Sequence, residues 1–311
     1  MFGMDVKTEA VLAGTLVAAL IAAVVASIKI VLDYRFSTRR LQIDEVANRD
    51  RLILDRQRLA ADEVVNITGA VTQVTGAFVS CLPLVSDRLG NLLSRPDERR
   101  AWIGGCHGEP EYYQLSLLER LIRFLALGKR AEDAVNGLPK EIREAHPEMQ
   151  LCHGVARLGR ATLSDTHLFM RMPAGRYDDR TQRFHLFVGT VHAIAENGLE
   201  GNRIALNWQQ EPGLSLREFI CSARTNSDDL EAASFVISRL AVLRAVVNSF
   251  LFEQRDLYDA PPREKSAADL MRDLAYASAV GGSANTFQDL VPDNLSWMMD
   301  HFRCDRLKLG G

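Results

Sequence analysis

The chain has 311 residues and a formal net charge of −3, with 37 Lys and Arg against 40 Asp and Glu. This near balance excludes the strongly basic surface typical of nucleic-acid-binding domains, so no nucleic-acid partner is expected. Five scattered cysteines exclude a disulfide framework and are typical of a reducing compartment. Only six of the basic residues are lysines, which favours a high-GC, bacterial source.

The first element is an apolar segment from Ala10 to Leu32 that contains no Asp, Glu, Asn, Gln or Pro and carries one charge, Lys29. A helix of about 20 apolar residues crosses the hydrocarbon core and bonds every backbone N–H and C=O internally. A cleaved signal peptide normally has a basic start and a shorter apolar region of roughly 7–15 residues. The sequence therefore predicts a retained transmembrane helix at 10–32, after a short tail at 1–9.

Positive charge is denser after this segment than before it. Lys7 is the only Lys or Arg in the tail, whereas the residues after the span include Arg35, Arg39, Arg40, Arg49 and Arg51. Lys and Arg that flank a span stay on the cytoplasmic side of the membrane. We therefore predict a single-pass protein of the cell membrane, with its N-terminus outside and the bulk of the chain in the cytoplasm. For a bacterial protein, this membrane is the inner membrane.

Small residues recur along one face of the predicted span. They lie four positions apart, at Gly14, Ala18, Ala22 and Ala26. Rows of this kind let two helices approach closely in lipid, where packing drives association. The row predicts self-association of the span, although alanine is also common in membrane anchors that do not pair.

A seam of apolar residues at alternating spacings of three and four runs from position 43 to position 85, broken by Asp50 and Gln57. This spacing is the condition for a coiled coil. The predicted interface residues are Ile43, Val46, Ile53, Val64, Ile67, Val71, Val74 and Phe78. We predict a coiled-coil stalk at 33–82, ended by Pro83, that forms a parallel homo-oligomer, with a dimer favoured. The alternative is a helix that packs back on its own domain, to which the broader, β-branched distal half is suited.

A connector at 83–110 leads into a predicted all-α cytoplasmic domain at 111–311. Helical periodicity and end signals predict helices at about 111–128, 139–146, 149–163, 184–197, 215–220, 228–258, 266–280 and 292–302. Arg203 to Trp208 is the only segment that resembles a strand, and one strand forms no sheet.

The segment Ala232–Phe252 is apolar on nearly all sides, so a second membrane span is an alternative. Arg239 and Arg244 together disfavour insertion by about 5–7 kcal/mol, which offsets the roughly 3–7 kcal/mol that the large apolar side chains contribute. Asn248 shifts the balance further against insertion. We predict the central helix of a soluble bundle, and retain a membrane-entering segment as the alternative.

Three groups of residues suggest chemistry. His185, His192 and Glu196 lie on one predicted helix ridge and are suitable ligands for zinc or iron, or suitable for acid–base work. Cys-His-Gly occurs at 106–108 and again at 152–154, which supplies two Cys and two His but not the usual zinc spacing. A basic loop that could bind a phosphate or lipid head group contains Arg171, Arg176, Arg180 and Arg183.

These features favour a membrane-anchored protein that presents a helical interaction domain: a scaffold, an adaptor or a tethered sensor. The expected partners are the lipid bilayer, a second copy of the chain and another protein, and no cofactor is expected. One alternative is a membrane-damaging effector of a bacterial defence or toxin system that uses Ala232–Phe252. The other is a membrane-tethered enzyme that uses the His185, His192 and Glu196 ridge, although the sequence lacks a phosphate-binding Gly-rich loop, HExxH and GxSxG.

Overall fold

The computed structural model describes residues 6–94, 112–164, 167–169, 185–223, 230–253, 266–280, 286–302, 304 and 307. Its elements are α1 (Val6–Ser94), α2 (Tyr112–Asn136), α3 (Lys140–Ala145), α4 (Pro147–Ser164), a 3-10 turn (His167–Phe169), α5 (Val188–Asn197), β1 (Leu199–Glu200), β2 (Arg203–Ile204), α6 (Gly213–Cys221), α7 (Leu230–Glu253), α8 (Ser266–Val280) and α9 (Thr286–His301). The predicted all-α fold is confirmed for these residues. The chain divides into two compact units, residues 1–66 and 67–311, which are described separately.

The first unit is helical from Val6 onward, and α1 there is exposed along nearly its whole length. Ala and Leu favour this helix, and Gly14 is its only helix-weakening residue within the apolar segment. Large apolar side chains stand in solvent, for example Leu20 at 65% exposure and Ile30 at 68%. Its polar groups bond locally: Ser27 donates to the Ala23 carbonyl, and Arg49 pairs with Glu45.

By length and composition, two helices in the described part of the chain are apolar enough to cross a membrane. One runs through Gly14–Leu93 of α1, and its most apolar window has no buried residue. The other is Ala233–Glu253 in α7, and 89% of its most apolar window is buried. The first is compatible with a membrane anchor, whereas the second occupies the interior of the second unit.

Helix α7 lies at the centre of the second unit and packs against α4 and α8. Arg239, although 1% exposed, donates from Nη1 to the Thr162 carbonyl at 2.8 Å, and its guanidinium lies 5.1 Å from the centre of the Phe169 ring. Arg244 lies 3.1 Å from the Asp273 carboxylate on α8. Helix α7 is therefore the central helix of the second unit, as predicted. Inside this unit Arg244 pairs with an acid, and Arg239 contacts a carbonyl and an aromatic ring.

Helices α2 and α4 approach each other closely because glycine stands at the contact. A Cβ added to Gly159 on α4 would overlap the Phe124 ring on α2, and one added to Gly128 would lie 3.1 Å from the Phe78 ring. The Phe78 and Phe124 rings are themselves 5.5 Å apart. The core of the second unit therefore includes the distal part of α1 as well as α2 and α4.

The residues around Arg203 form a small antiparallel hairpin, with Leu199 opposite Ile204 and Glu200 opposite Arg203. The turn requires Gly201, whose φ is +60°. Two arginines of α2 hold the hairpin through its carbonyls: Arg130 donates to Leu199 at 3.0 Å, and Arg123 donates to Asn202 at 3.1 Å. The predicted strand at 203–208 is thus shorter than expected, and it pairs with the residues directly before it.

Two predicted helix boundaries at proline are wrong. Helix α1 continues through Pro83 to Ser94, and α9 begins at Thr286 with Pro292 inside it. An interior proline removes a backbone hydrogen bond and disfavours a helix by about 3 kcal/mol. In α1 the burial of Leu82, Val85 and Leu89 beside the proline offsets this penalty, because one buried leucine contributes about 1.5–3 kcal/mol. The boundary between stalk and connector therefore does not fall at residue 83.

Candidate functional site

The predicted metal ridge is not a three-ligand site. His185 lies before α5, with its ring 5.9 Å from that of Phe187, so it does not continue the helical ridge. His192 and Glu196 do lie one turn apart, with Nε2 and Oε1 at 3.0 Å, and both are exposed. No group of three His, Cys, Asp or Glu within the described residues is placed to hold a metal ion. The prediction fails because the helix begins at Val188, three residues after His185.

The second Cys-His-Gly tripeptide lies on α4, and its two functional side chains have different environments. Cys152 belongs to the hydrophobic core, where burial raises the pKa of its thiol to about 12, as burial does for Cys81 on α1. His153 instead lines a cavity at the surface. The two side chains therefore do not combine as metal ligands. The first tripeptide, at 106–108, lies outside the described residues, as does the predicted basic loop with Arg171, Arg176, Arg180 and Arg183.

The predicted oligomer seam divides into an exposed part and a buried part. Ile43, Val46, Ile53 and Val64 are exposed, from 67% at Ile43 to 43% at Val64. In the distal part, Phe78 and Val71 are buried within their own chain, and Val74 and Ile67 pack against the core clusters. These four distal residues therefore pack within their own chain, and a place for them in an oligomer interface stays a prediction. Their β-branched and aromatic side chains form a broad apolar face that the helical domain itself covers.

A basic cavity of about 500 Å³ opens between α3, α4 and the end of α9. We refer to it as the basic cavity. Its lining residues are Val135, Asn136, Lys140, Arg143, Glu144, Gln150, His153, Arg157, His301 and Phe302. Its volume is within the range of small-molecule sites. Helices α3 and α4 meet here because they are separated only by His146, and the Gln150 amide donates to the Arg143 carbonyl at 2.5 Å.

Positive charge predominates in the basic cavity. Lys140, Arg143 and Arg157 face one lining carboxylate, Glu144, which lies 3.7 Å from the Lys140 ammonium. Behind the lining, Glu132 is contacted closely by Arg160, whereas its distance to Nε of Arg157 is 3.8 Å. Arg143 is thus left without a close acid among the described residues, and Arg157 shares Glu132 with Arg160.

His153 is a half-buried polar residue of the basic cavity. Its Nε2 atom is inaccessible to solvent and has no hydrogen-bond partner among the described residues. Burial lowers the pKa of His153 below its usual 6.5, and the nearby Arg157, Arg160 and Arg143 lower it further against the opposing effect of Glu132. The imidazole is therefore neutral at pH 7, with an unused donor or acceptor position.

Aromatic rings line the other side of the basic cavity. The Phe302 ring lies 5.1 Å from the Arg157 guanidinium, and the His301 ring stacks on Trp297 with centroids 5.4 Å apart. A guanidinium that lies over a ring keeps its N–H groups at its edge, free for an anion. The site therefore combines fixed cations with an apolar wall.

Sequence reasoning did not find the basic cavity, although one signal was available. His153, Arg157 and Arg160 are spaced by four and three residues, so they share one face of α4. The contribution of α9 could not be found in this way, because it depends on how distant segments pack. Comparison of the chain with models of protein families, with curated proteins and with solved structures finds no match.

Proposed function

We propose that this chain is a single-pass membrane protein whose N-terminal tail lies outside and whose helical domain works in the cytoplasm as a tethered sensor or adaptor. The observation that carries the proposal is the fully exposed apolar window of α1, within the predicted span 10–32. A soluble helix with such a surface would expose a long run of large apolar side chains to water, whereas lipid covers it. The Arg-rich residues that follow support the cytoplasmic side for the domain.

Membrane fractionation with a topology reporter tests this proposal. The full chain is expected in the membrane pellet after alkaline carbonate washing, and in detergent extracts thereafter. A C-terminal alkaline phosphatase fusion should be inactive and a C-terminal green fluorescent protein fusion fluorescent, since the first requires the periplasm and the second the cytoplasm. Strong phosphatase activity would reverse the topology, and recovery in the carbonate supernatant would contradict the anchor.

Self-association is proposed for the proximal seam only. Ile43, Val46, Ile53 and Val64 remain exposed in the single chain, so a parallel partner helix would cover an apolar stripe. Anchoring confines chains to one membrane and raises their effective concentration. Together with the row of small residues from Gly14 to Ala26 in the span, this supports a parallel homo-oligomer.

Cysteine crosslinking in native membranes tests the oligomer. Ile53→Cys on the seam is expected to crosslink efficiently, and Gly69→Cys, at an exposed site of the distal helix, is the control. Efficient crosslinking at position 53 with little at position 69 supports a seam that ends before the domain. Equal crosslinking yields at the two positions, or no crosslinked product at position 53, would overturn the proposed oligomer interface.

The apolarity of α7 supports a second candidate, a membrane-damaging effector that releases this helix. Its length and composition are sufficient to cross a membrane, but Arg239 and Asn248 are buried and Arg244 is half-buried within the domain. Release would therefore expose the core of the domain to water. A liposome leakage assay with the purified chain distinguishes the candidates: dye release at nanomolar protein favours the effector, and intact vesicles favour the tethered sensor.

A further inference from the structure

We propose that the basic cavity binds a small molecule that carries a phosphate group. The chain as a whole has a net charge of −3, so a positively charged cavity does not follow from its composition. The positive charge comes instead from the side chains that gather at this cavity. Binding at this cavity goes beyond the membrane-tethering function and does not depend on it. It would give the helical domain a ligand, with α3, α4 and α9 as the elements that recognise it.

The first reason is the surplus of cations. Arg143 makes no side-chain hydrogen bond or ion pair with any described residue, although it lines a cavity whose single lining carboxylate lies nearest to Lys140. The acid closest to Arg157 is Glu132, which Arg160 already contacts. A guanidinium without an acidic partner among the described residues, that of Arg143, and one that shares its acid, that of Arg157, are together suited to a dianion, since both supply planar pairs of N–H donors to phosphate oxygens.

The second reason is the buried His153 Nε2 atom. A buried polar atom without a hydrogen bond destabilises a protein by about 1–3 kcal/mol, so such atoms in folded proteins usually have a function. A dianion bound among Arg143 and Arg157, beside this imidazole, would favour its protonated form. In the chain without a ligand, burial and the nearby arginines lower the pKa of His153. A bound dianion would raise this pKa and so oppose both effects.

The third reason concerns the rest of the ligand. A free phosphate ion is much smaller than a cavity of about 500 Å³, which leaves space for an organic group. Val135 and the Phe302 ring supply apolar surface, and the Gln150 and Asn136 amides supply neutral hydrogen-bonding groups. The ligand class is therefore a phosphomonoester with a compact, partly apolar organic part.

The test uses the full chain in a maltoside detergent, which contributes no phosphate. Isothermal titration calorimetry measures binding of inorganic phosphate and of adenosine monophosphate, chosen as a phosphomonoester with a planar organic group. Arg143→Gln and Arg157→Gln are expected to weaken binding at least 10-fold each. Arg203→Gln, which removes an exposed arginine on β2 outside the cavity, should leave the affinity unchanged.

A second variant separates a lost ligand contact from a lost fold. His153→Asn keeps a small polar group in the cavity, and its thermal unfolding is compared with that of the wild type with and without 5 mM adenosine monophosphate. A ligand-induced rise in melting temperature that disappears in Arg143→Gln, while the unliganded melting temperature is kept, supports the site. The proposal would be overturned if the wild-type chain bound neither soluble probe and also showed no Arg143-dependent recruitment to phosphatidic acid. It would likewise be overturned if both arginine variants bound the probes as tightly as the wild type.

A phosphate group can also come from a lipid, so a further arm uses vesicles. Flotation with phosphatidylcholine vesicles that contain phosphatidic acid is compared with flotation on phosphatidylcholine alone, for the wild type and for Arg143→Gln. Competition by adenosine monophosphate identifies a soluble ligand. Recruitment that requires phosphatidic acid and Arg143, with no response to either soluble probe, assigns the same cavity to a lipid head group. Membrane fractionation tests the anchor and ligand binding tests the cavity. The two proposals can therefore fail independently, and the experiments show which one has failed.

Discussion

Within the residues that the structure describes, two helices are apolar enough to cross a membrane, and their environments are opposite. The apolar window of α1 has no buried residue, whereas 89% of that in α7 is buried. The difference lies in their polar residues. In α7, Arg239 donates to the Thr162 carbonyl, Arg244 lies 3.1 Å from Asp273, and Asn248 accepts a short hydrogen bond from Ser86.

The α1 segment offers no comparable group, since its single charge, Lys29, lies near the end. Average apolarity therefore does not decide whether a helix belongs in lipid or in a protein core. Polar side chains at fixed positions decide it, because each needs a partner that only a folded domain supplies.

The largest effects are expected when charge is placed in each helix. Leu20→Lys combined with Val24→Lys should release the chain from the membrane pellet, since each lysine disfavours insertion by about 2.5–3.5 kcal/mol. Val242→Lys on α7 should instead leave the chain in the membrane and unfold the domain, because Val242 is fully buried. Carbonate fractionation and limited proteolysis measure the two outcomes. Release from the membrane by Val242→Lys, with the domain still resistant to protease, would reverse the assignment of the two helices.

Removal of an acidic partner sharpens the comparison. Asp273→Ala should lower the free energy of unfolding by about 3–5 kcal/mol, because Asp273 is 2% exposed and its loss removes the acid from an Arg244 side chain that is only 12% exposed. Glu45→Ala is the control, since the Glu45–Arg49 pair is 68% and 74% exposed and such pairs contribute about 0.5 kcal/mol or less. Urea unfolding in detergent measures both. Equal destabilisation by the two variants would contradict a special contribution of the buried pair.

Glycine substitutions give a smaller contrast. Gly159→Ala should destabilise the domain by about 1–3 kcal/mol, because the new methyl group overlaps the Phe124 ring and the core must shift. At Gly69 on α1, no atom lies within 4 Å of an added Cβ. Gly69→Ala should therefore stabilise the helix by roughly 0.5–1 kcal/mol. Melting temperatures should therefore move in opposite directions. A neutral Gly159→Ala would mean that α2 and α4 can separate without loss.

The smallest expected effect is a pH dependence from His153. Its pKa is lowered in the folded state from 6.5, so the unfolded chain binds the proton more tightly. The stability associated with the neutral imidazole is present above pH 6.5 and is lost as the pH falls below that value. His153→Gln should therefore lose less stability than the wild type between pH 7.5 and pH 5.5 in urea unfolding. An identical pH dependence in both proteins would contradict the shift.

Local signals predicted much of the helical architecture. Ser266 with Asp269 marked the start of α8, and Val280 its end, as the structure has them. Proline was a poor boundary signal, because tertiary burial around Pro83 and Pro292 outweighs the lost backbone hydrogen bond. The spacing of apolar residues also could not show whether Phe78 is covered by a partner helix or by the chain's own domain, since either would bury the same apolar face. In the structure, Phe78 is buried within its own chain.

The basic cavity shows the same limit for the site. The face with His153, Arg157 and Arg160 is visible in the sequence, but the Arg160 contact with Glu132 that leaves Arg157 available is not. Nor does the sequence bring His301 and Phe302 to α4. The contribution of His301 and Phe302 arises from packing between segments more than a hundred residues apart, whereas the Arg160–Glu132 contact arises from packing of α2 against α4.

The buried thiols of Cys81 and Cys152 have a practical consequence for experiments on this chain. Alkylating reagents attack the thiolate, and a pKa of about 12 leaves almost none of it at neutral pH, even before access is considered. Both cysteines therefore become reactive only when the core opens. The rate at which iodoacetamide labels them, read by mass spectrometry, reports opening of the domain inside intact membranes without any engineered probe. For the same reason, both can be left in place when a cysteine is introduced into α1.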